Sequence, residues 1–338
     1  MPEQPSAKRF KILVLGNREN YVANPLGDTY TDSDDMVFVG PAPDVDQAIA
    51  AAPDAQILFA DSIAAVPRAL IAGLPHLQLV NTEGVGFDKV DCEAAAEHAV
   101  FVCNNAGGNA HAVAEQAILL MLGLLRHVRA WDQAVRDGRQ FEAKIEGFAK
   151  GITDLADCTV GIIGLGHSGQ ALAERLAAFG TRVLYTSHTR KTPELEQRLH
   201  VEWRERPALL AACDIVSLHT AVTDETRAMV DAAFLAQMKP GAYLVNTARG
   251  ELVDNDALAA ALAAGHLAGA GLDTIAPEPV TADNVLLNQP DAVAERLLFS
   301  PHVAGITNGS RRRMQAHMWD NVARLAAGQR PTGIVNGL

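Results

Sequence analysis

Apolar positions along this chain fall into short runs, and the runs alternate with segments of helical spacing. Lys11 to Gly16, Met36 to Gly40, Ile57 to Ala60, Leu77 to Val80 and Phe101 to Cys103 read as strands, the more continuous of them as strands buried on both faces. Between them, Val45 to Ala52, Val66 to Ala72 and Cys92 to His98 carry helical patterns. Asn17 to Asp35 is polar and turn-rich and predicts no element. Asn109 to Asp137 runs without proline, with Val113, Ile118, Leu119, Leu122, Leu125 and Val128 spaced for one or two long helices. A second alternating series follows. Its strands are Val160–Ile163, Arg182–Tyr185, Ile215–Leu218, Tyr243–Asn246, Gly269–Leu272 and Leu297–Ser300, and a last helix runs from about Thr307 to Ala327. Alternation of this kind predicts βαβ units and parallel sheets. Two such units with a helix left over imply that the second is inserted into the first, and that the last helix packs back on the first. The default place for chemistry is then a cleft between them.

The second series opens on Thr159 to Gly169, T-V-G-I-I-G-L-G-H-S-G. The apolar run ends in Gly164-Leu165-Gly166-His167-Ser168-Gly169, a G-x-G-x-x-G. Gln170 to Phe179 then continues with Leu172, Leu176 and Phe179 at helical spacing. Strand, glycine turn and helix is the context that gives this short expression meaning. Gly164 suits the tight turn, Gly166 lets a pyrophosphate approach the backbone, and Gly169 lets the helix sit close to the strand. The helix offers free N–H groups and the positive end of its dipole to phosphates. The competing reading is an ordinary strand–helix turn that happens to be rich in glycine.

Composition narrows the field. A chain of 338 residues with 49% hydrophobic and 20% charged residues is long enough for about two domains with well-filled cores. A net charge of −12 argues against a nucleic-acid or anionic-membrane surface, though not against a small anion bound locally. Cys92, Cys103, Cys158 and Cys213 are scattered singly, with no C-x-x-C and no Cys/His cluster at metal spacing, so reduced, buried thiols are expected and no metal site. The first residues lack the apolar core of a signal peptide. The most apolar long stretch, Ala112 to Leu125, contains Glu115 and Gln116 and is too short to span a bilayer, so a cytoplasmic protein is expected.

From Asn81 onward the chain resembles the D-2-hydroxyacid dehydrogenases, which include glyoxylate and hydroxypyruvate reductases. The resemblance is carried by blocks in a fixed order. They are N-T-E-G-V-G-F-D-K-V-D from Asn81, N-N-A-G-G-N-A-H-A-V-A-E-Q from Asn104 and the glycine fingerprint. Then come L-H-T-A-V-T-D-E-T from Leu218, V-N-T-A-R-G from Val245, G-L-D-T-I-A-P-E-P from Gly271 and P-H-V-A-G-I-T from Pro301. The fold class implied is α/β with two Rossmann-like domains. A split flavodoxin-like substrate domain, residues 1–105 and 305–338, would receive an inserted doubly wound dinucleotide-binding domain, residues 106–304. The long helix within 109–137 would serve dimerisation.

The resemblance also implies a site. Arg249 matches the family's arginine, whose planar fork suits a substrate carboxylate and a developing alkoxide. His302 matches the acid/base that gives a proton to the carbonyl oxygen as hydride reaches the carbon. Glu278 matches the carboxylate that partners the histidine, favours its charged ring and orients it. Of eleven histidines, His302 alone stands in a P-H-x-A-G context; His219 and the others are expected to be structural. Backbone N–H groups of the turn at Gly84-Val85-Gly86, Val85 and Gly86 above all, should meet the substrate carboxylate, with glycine conformations aiming them at one anion. Asn109 corresponds to a position near the substrate. For the cofactor, Gly164, Gly166, His167, Ser168 and Gly169 would take the pyrophosphate. Thr220, Thr247, Ala248, Asp273, His302 and Gly305 would line the nicotinamide end.

Members specific for NAD end the strand after the fingerprint helix in Asp, which accepts from the ribose hydroxyls. Here Thr186 stands at that place, followed by Ser187-His188-Thr189-Arg190-Lys191. Loss of the carboxylate removes repulsion against a 2′-phosphate, and Ser187 and Arg190 could bind one. NADP is therefore the preferred cofactor and NAD the alternative. The expected partners are a small 2-oxo or 2-hydroxy acid and a second copy of the chain, with no nucleic acid and no membrane.

Some positions depart from the family. Ala106 and Ala221 replace prolines and Ile275 replaces an aromatic residue, which bears on the shape of the substrate pocket rather than on the reaction. Formate dehydrogenases of this fold carry Gln where Glu278 stands. Phosphite dehydrogenases carry Lys where Val85 precedes Gly86-Phe87-Asp88. The rival from another class is a dinucleotide-sensing co-repressor on the same fold, which would bind dinucleotide and reduce little.

Overall fold

The computed structural model describes residues 10–19, 36–61 and 64–338. Nearly all of the unassigned stretch 17–35 lies outside them. The chain forms two compact units, Met1–Asn109 with Ile306–Leu338, and Ala110–Gly305.

The first unit is built on a parallel sheet of five strands, β1 (Ile12–Leu15), β2 (Met36–Phe38), β3 (Ile57–Ala60), β4 (Leu79–Thr82) and β5 (Phe101–Cys103), in the order β2-β1-β3-β4-β5. Residues alternate across the sheet, as strand geometry requires. Leu13, Leu15, Leu58 and Val80 share one core with residues of α1 (Val45–Ala51), α2 (Arg68–Ala72) and α3 (Cys92–Glu97). Ile12, Val14, Ile57, Phe59 and Leu79 share the other with Met318, Trp319 and Val322 of the last helix, Asn308–Ala326. Phe59 and Trp319 meet edge to face at 5.5 Å and 87°. Beyond that helix, Ile334 forms an antiparallel bridge with Cys103.

Two expected bounds shift here for physical reasons. The strand expected over Leu77–Val80 runs Leu79–Thr82, because Asn81 and Thr82 are buried with hydrogen-bond partners although polar. The helix expected from Val66 begins at Arg68: Pro67 is its N-cap, and Val66 instead bridges to Val90.

In the second unit α4 (Ala110–Leu125) and α5 (Val128–Arg136) are separate helices, broken at His127 with φ +47°. Next come α6 (Gln140–Lys150), β6 (Thr159–Ile163), α7 (His167–Ala178), β7 (Arg182–Thr186), α8 (Pro193–Leu199), β8 (Val201–Trp203), α9 (Arg206–Ala212) and β9 (Ile215–Leu218). The series closes with α10 (Ala232–Gln237), β10 (Ala242–Asn246), α11 (Asn255–Ala263), β11 (Leu267–Leu272), α12 (Asp291–Ala294) and β12 (Leu297–Phe299). The last helix of the chain is then α13. All seven strands are parallel, in the order β12-β11-β10-β9-β6-β7-β8. Helix α6 and the edge strand β8 were not expected from the sequence, and α8 to α12, though implied by the alternation, were not placed by it. The apolar residues of α6 (Phe141, Ile145, Phe148) are exposed rather than turned to a core, and β8 has three residues.

Helix α4 lies on a glycine floor. A Cβ on Gly271 would stand 2.9 Å from Leu120 Cβ, and one on Gly123 2.7 Å from Leu298 Cδ1. Strand order reverses between β6 and β9, and in such sheets ligands bind beyond the carboxyl ends of the strands at that switch point. The carboxyl ends of β6, β7, β9, β10, β11 and β12, with the loops that follow them, hold every candidate residue of this unit. All four cysteines are free, and burial pushes the thiols of Cys103 and Cys213 up to about 12. No helix among the described residues is long and apolar enough to cross a membrane.

Candidate active site

The fingerprint loop shows three glycines with three different surroundings. Gly164 has φ +98°, and a Cβ there would lie 2.4 Å from the His219 carbonyl oxygen. A Cβ on Gly169 would lie 2.2 Å from the Gly164 carbonyl oxygen. Both positions are closed by packing. A Cβ on Gly166, the N-cap of α7, would meet nothing within 4 Å. The middle glycine therefore leaves open space in front of the first turn of α7, whose N–H groups have no acceptor within the helix. Such an open helix N-terminus suits a phosphate. Behind it sits His219, buried, with Nε2 2.9 Å from Ser217 Oγ and Nδ1 3.3 Å from Ser168 Oγ. Burial pushes this ring down to about 4, so it stays neutral and ties the loop to β9.

His302 follows β12 in the left-handed region, φ +55°. Its N–H donates to the carbonyl oxygens of Asp273 (2.8 Å) and Ser300 (3.0 Å). The Asp273 carboxylate, 2% exposed, accepts from Ser300 Oγ at 2.5 Å, from the Val303 N–H at 3.1 Å and from the Ala304 N–H at 2.9 Å. Gln116 on α4 in turn donates to Ser300 Oγ at 2.9 Å. The loop is thus wrapped around a buried anion. His302 Nδ1 lies 2.6 Å from Glu278 Oε1, both side chains partly exposed. A carboxylate can only accept here, so Nδ1 carries the proton. Nε2 has no partner among the described residues.

Arg249 follows β10. The Asn246 side chain braces its turn, donating to the Arg249 carbonyl oxygen (2.8 Å) and accepting from the Ala248 N–H (3.0 Å). Arg249 Nη1 donates to the Ala248 carbonyl oxygen at 2.8 Å. A Cβ on Gly250 would stand 2.3 Å from the Ala276 nitrogen and 2.5 Å from the Ile275 carbonyl carbon. The arginine's loop can therefore lie against the segment two residues ahead of Glu278. Arg249, Glu278 and His302 leave from loops after three neighbouring strands.

In the first unit the turn after β4 is dressed by side chains from one side. Thr82 O accepts from Asn81 Nδ2 (3.0 Å) and Asn105 Nδ2 (2.8 Å), and Glu83 O accepts from Asn105 Nδ2 (3.0 Å). Gly84 O accepts from Thr82 Oγ1 (3.1 Å) and the Asn105 N–H (2.9 Å), and Val85 O from Asn104 Nδ2 (2.8 Å). Among the described residues none accepts from the N–H groups of Gly84, Val85 or Gly86. Carbonyls engaged by side chains, with amides left over, are what an anion nest requires. The expected cause needs correction: neither glycine has a positive φ, so the turn is held by amide side chains rather than by glycine freedom. Asn109 is half-buried directly ahead of α4.

Comparison with known proteins decides the family. Residues 118–304 match the description "D-isomer specific 2-hydroxyacid dehydrogenase, NAD binding domain". The chain is 34% identical to a glyoxylate reductase of Thermococcus litoralis over 278 residues, 80% of each chain. The chain belongs to the D-isomer-specific 2-hydroxyacid dehydrogenase family. It is also 35% identical over 295 residues to a D-3-phosphoglycerate dehydrogenase of Mycobacterium bovis, covering 87% of this chain and 53% of that one. This chain therefore spans about half the length of the mycobacterial relatives it matches. A solved glyoxylate reductase from Paecilomyes thermophila superposes with a TM-score of 0.80 at 27% identity, covering 96% of this chain and 97% of the other.

As a member of this dehydrogenase family, the chain carries an NAD-binding domain, and its residues fit the dinucleotide. Beyond the open space at Gly166, the buried hydroxyl of Thr247 has no partner among the described residues, as expected of a group that a ligand completes. Thr220 sits half-buried beside Gly164, Ala248 in the braced turn, and Gly305 at the end of the His302 loop. The loop after β7 is more occupied than its sequence suggests. Ser187 Oγ donates to the Thr189 carbonyl oxygen at 2.7 Å. Arg190 lies 5.3 Å above the Trp203 ring and donates from Nε (2.9 Å) and Nη2 (3.0 Å) to Glu196. Arg190, and then Tyr185 through its hydroxyl, hold the Glu196 carboxyl down at about 2. Glu196, Trp203, Ser300 and Gln116 received no role from the sequence, because their partners lie on other elements.

Gly166→Ala should leave the thermal midpoint nearly unchanged and weaken dinucleotide binding about tenfold or more, because the added methyl meets only the space left for phosphate. Gly164→Ala should instead lower the midpoint itself, since its methyl meets backbone at an unsuitable φ. Calorimetric scans with cofactor titrations check both; equal behaviour of the two variants would remove the phosphate from Gly166.

Proposed function

We propose that this protein is an NAD(P)H-dependent reductase of small 2-oxo acids that gives the D-2-hydroxy acid. The observation that carries the reading is the 2.6 Å bond from His302 Nδ1 to Glu278, on a loop next in sheet order to that of Arg249. A bound reduced nicotinamide supplies hydride to the carbonyl carbon. Arg249 presents its planar fork to the carboxylate and carbonyl of the substrate. The N–H groups of Val85 and Gly86 take the carboxylate. His302 gives the proton on Nε2 to the oxygen that becomes hydroxyl, and Glu278 holds the ring plane and offsets its charge. In the reverse direction the neutral ring takes the hydroxyl proton. The name of the Thermococcus relative supports glyoxylate as a substrate, with hydroxypyruvate or a bulkier analogue as its neighbours in class.

A steady-state screen of 2-oxo acids against NADPH and NADH tests this directly. His302→Ala should lower turnover by about 10²–10⁴, the range of general acid–base catalysis, with cofactor affinity nearly intact. Turnover retained in that variant removes His302 from its role, and dinucleotide binding without any turnover in the wild type favours the co-repressor reading.

NADP is the proposed preferred cofactor, supported by Thr186 in place of a carboxylate and by Arg190 already ordered over Trp203. Glu196 engages two of the arginine's donors, so a 2′-phosphate would compete with it for the same fork. Thr186→Asp should swing the NADPH/NADH ratio of kcat/KM towards NADH, and an unchanged ratio refutes the argument.

The proposed second copy of the chain would cover the outward apolar residues of α5 and α6, among them Phe141 (69% exposed) and Phe148 (80%). Phe148→Asp should shift the mass seen by light scattering towards the monomer; a wild type already monomeric would contradict it.

A further inference from the structure

The anion nest of the first unit is buttressed from a distance. Asn105 Nδ2 donates to the Thr82 and Glu83 carbonyl oxygens, which fixes which end of that amide is nitrogen. Its Oδ1 must therefore accept, and His317 Nδ1 on α13 lies 2.7 Å from it. His317 Nε2 lies 2.9 Å from Thr332 Oγ1. Burial lowers the pKa of this ring, with Asp320 opposing, so it is held towards the neutral form. A neutral ring that donates from Nδ1 accepts at Nε2, and the proton it accepts is that of the Thr332 hydroxyl. The Thr332 hydroxyl has a second acceptor in Asn321 Oδ1 at 3.2 Å, and the ring nitrogen at 2.9 Å is the nearer of the two. Thr332 belongs to the segment that returns along β5: the Asn104 N–H donates to the Gly333 carbonyl oxygen at 3.0 Å, and the Val335 N–H to the Val102 carbonyl oxygen at 2.8 Å. The Thr332 backbone is separately fixed, its N–H donating to Asn321 Oδ1 at 2.8 Å and its carbonyl accepting from Asn321 Nδ2 at 3.1 Å.

We infer that Thr332 and His317 are positioning residues for the substrate carboxylate, acting through the Asn105 amide to hold the Thr82–Val85 carbonyls inward and the nest N–H groups free. The inference rests on the proposed reading of the nest as the carboxylate site. Neither residue touches substrate. Their effect falls on the affinity for the anion and not on hydride or proton transfer, whose residues belong to the other unit.

The test uses the full chain with NADPH bound. Thr332→Val keeps the backbone bonds and the shape and removes only the hydroxyl. In the variant, the KM for glyoxylate and the calorimetric Kd for oxalate, a non-reducible carboxylate, should both rise about fivefold, the order that loss of one hydrogen bond gives. The value of kcat, its pH profile and the Kd for NADPH should stay within about twofold, and Thr332→Ser should restore wild-type KM and oxalate affinity. His317→Ala should move the same two quantities further. Unchanged KM and oxalate affinity in a folded Thr332→Val, or a parallel fall in NADPH affinity and kcat, overturns the inference. Should the wild type reduce no 2-oxo acid, the proposed activity fails alone, and a shift of oxalate affinity in Thr332→Val still supports the buttress. Wild-type holoenzyme that binds no oxalate overturns it.

Discussion

A buried carboxylate sets the geometry of the loop after β12 in the second unit. Removing an ionised group from water costs several kcal/mol unless its lone pairs are met by donors. Asp273 is met by Ser300, Val303 and Ala304, and those donors can reach it only if residues 300–304 wrap around its head. His302, within that wrap, is driven to φ +55°, a conformation that costs a non-glycine residue about 1–3 kcal/mol and persists where the surroundings over-determine it. The resemblance assigns Asp273 to the nicotinamide end; its hydrogen bonds give it first the task of shaping the loop that carries the candidate acid. The strain and the buried charge sustain each other, and Gln116 on α4 secures the hydroxyl between them.

The two units leave backbone N–H groups available in two different ways. At the fingerprint loop the means is absence: Gly166 has no neighbour where a side chain would be, and two packed glycines hold it there. At the Thr82–Val85 turn the means is addition: amides and a hydroxyl hold the carbonyls back, so ordinary backbone becomes a nest. Glycine occurs in both motifs, yet it is the conformational determinant only in the first.

This contrast bears on what a sequence can disclose. Strands buried on both faces, such as β3 and β9, are plain in the chain because every position obeys one rule. The end of β4 is not, since Asn81 and Thr82 continue it as buried polar residues whose partners lie elsewhere. Helix α6 was missed because its apolar residues face outward among charges. Gly164 stands in a word whose chemistry can be read locally, whereas Arg249, Glu278 and His302 take their roles from the resemblance that their contiguous words carry. The partners of the groups that hold their surroundings cannot be read so: Gln116 and Asn105 stand in one quoted block, yet Gln116 reaches Ser300 across 184 positions and His317 reaches Asn105 across 212.

The segment that returns along β5 also orders events in time. Val102 hydrogen-bonds with Asn336 across 234 positions, whereas the second unit is a single uninterrupted stretch. During synthesis from the amino end, the later-encoded nucleotide fold can close upon itself while the earlier-encoded sheet still waits for α13 and for its outermost partner. The part of the polypeptide made first is thus the last to mature, and until then the unfilled flank of β5 is exposed to whatever else can pair with an open strand.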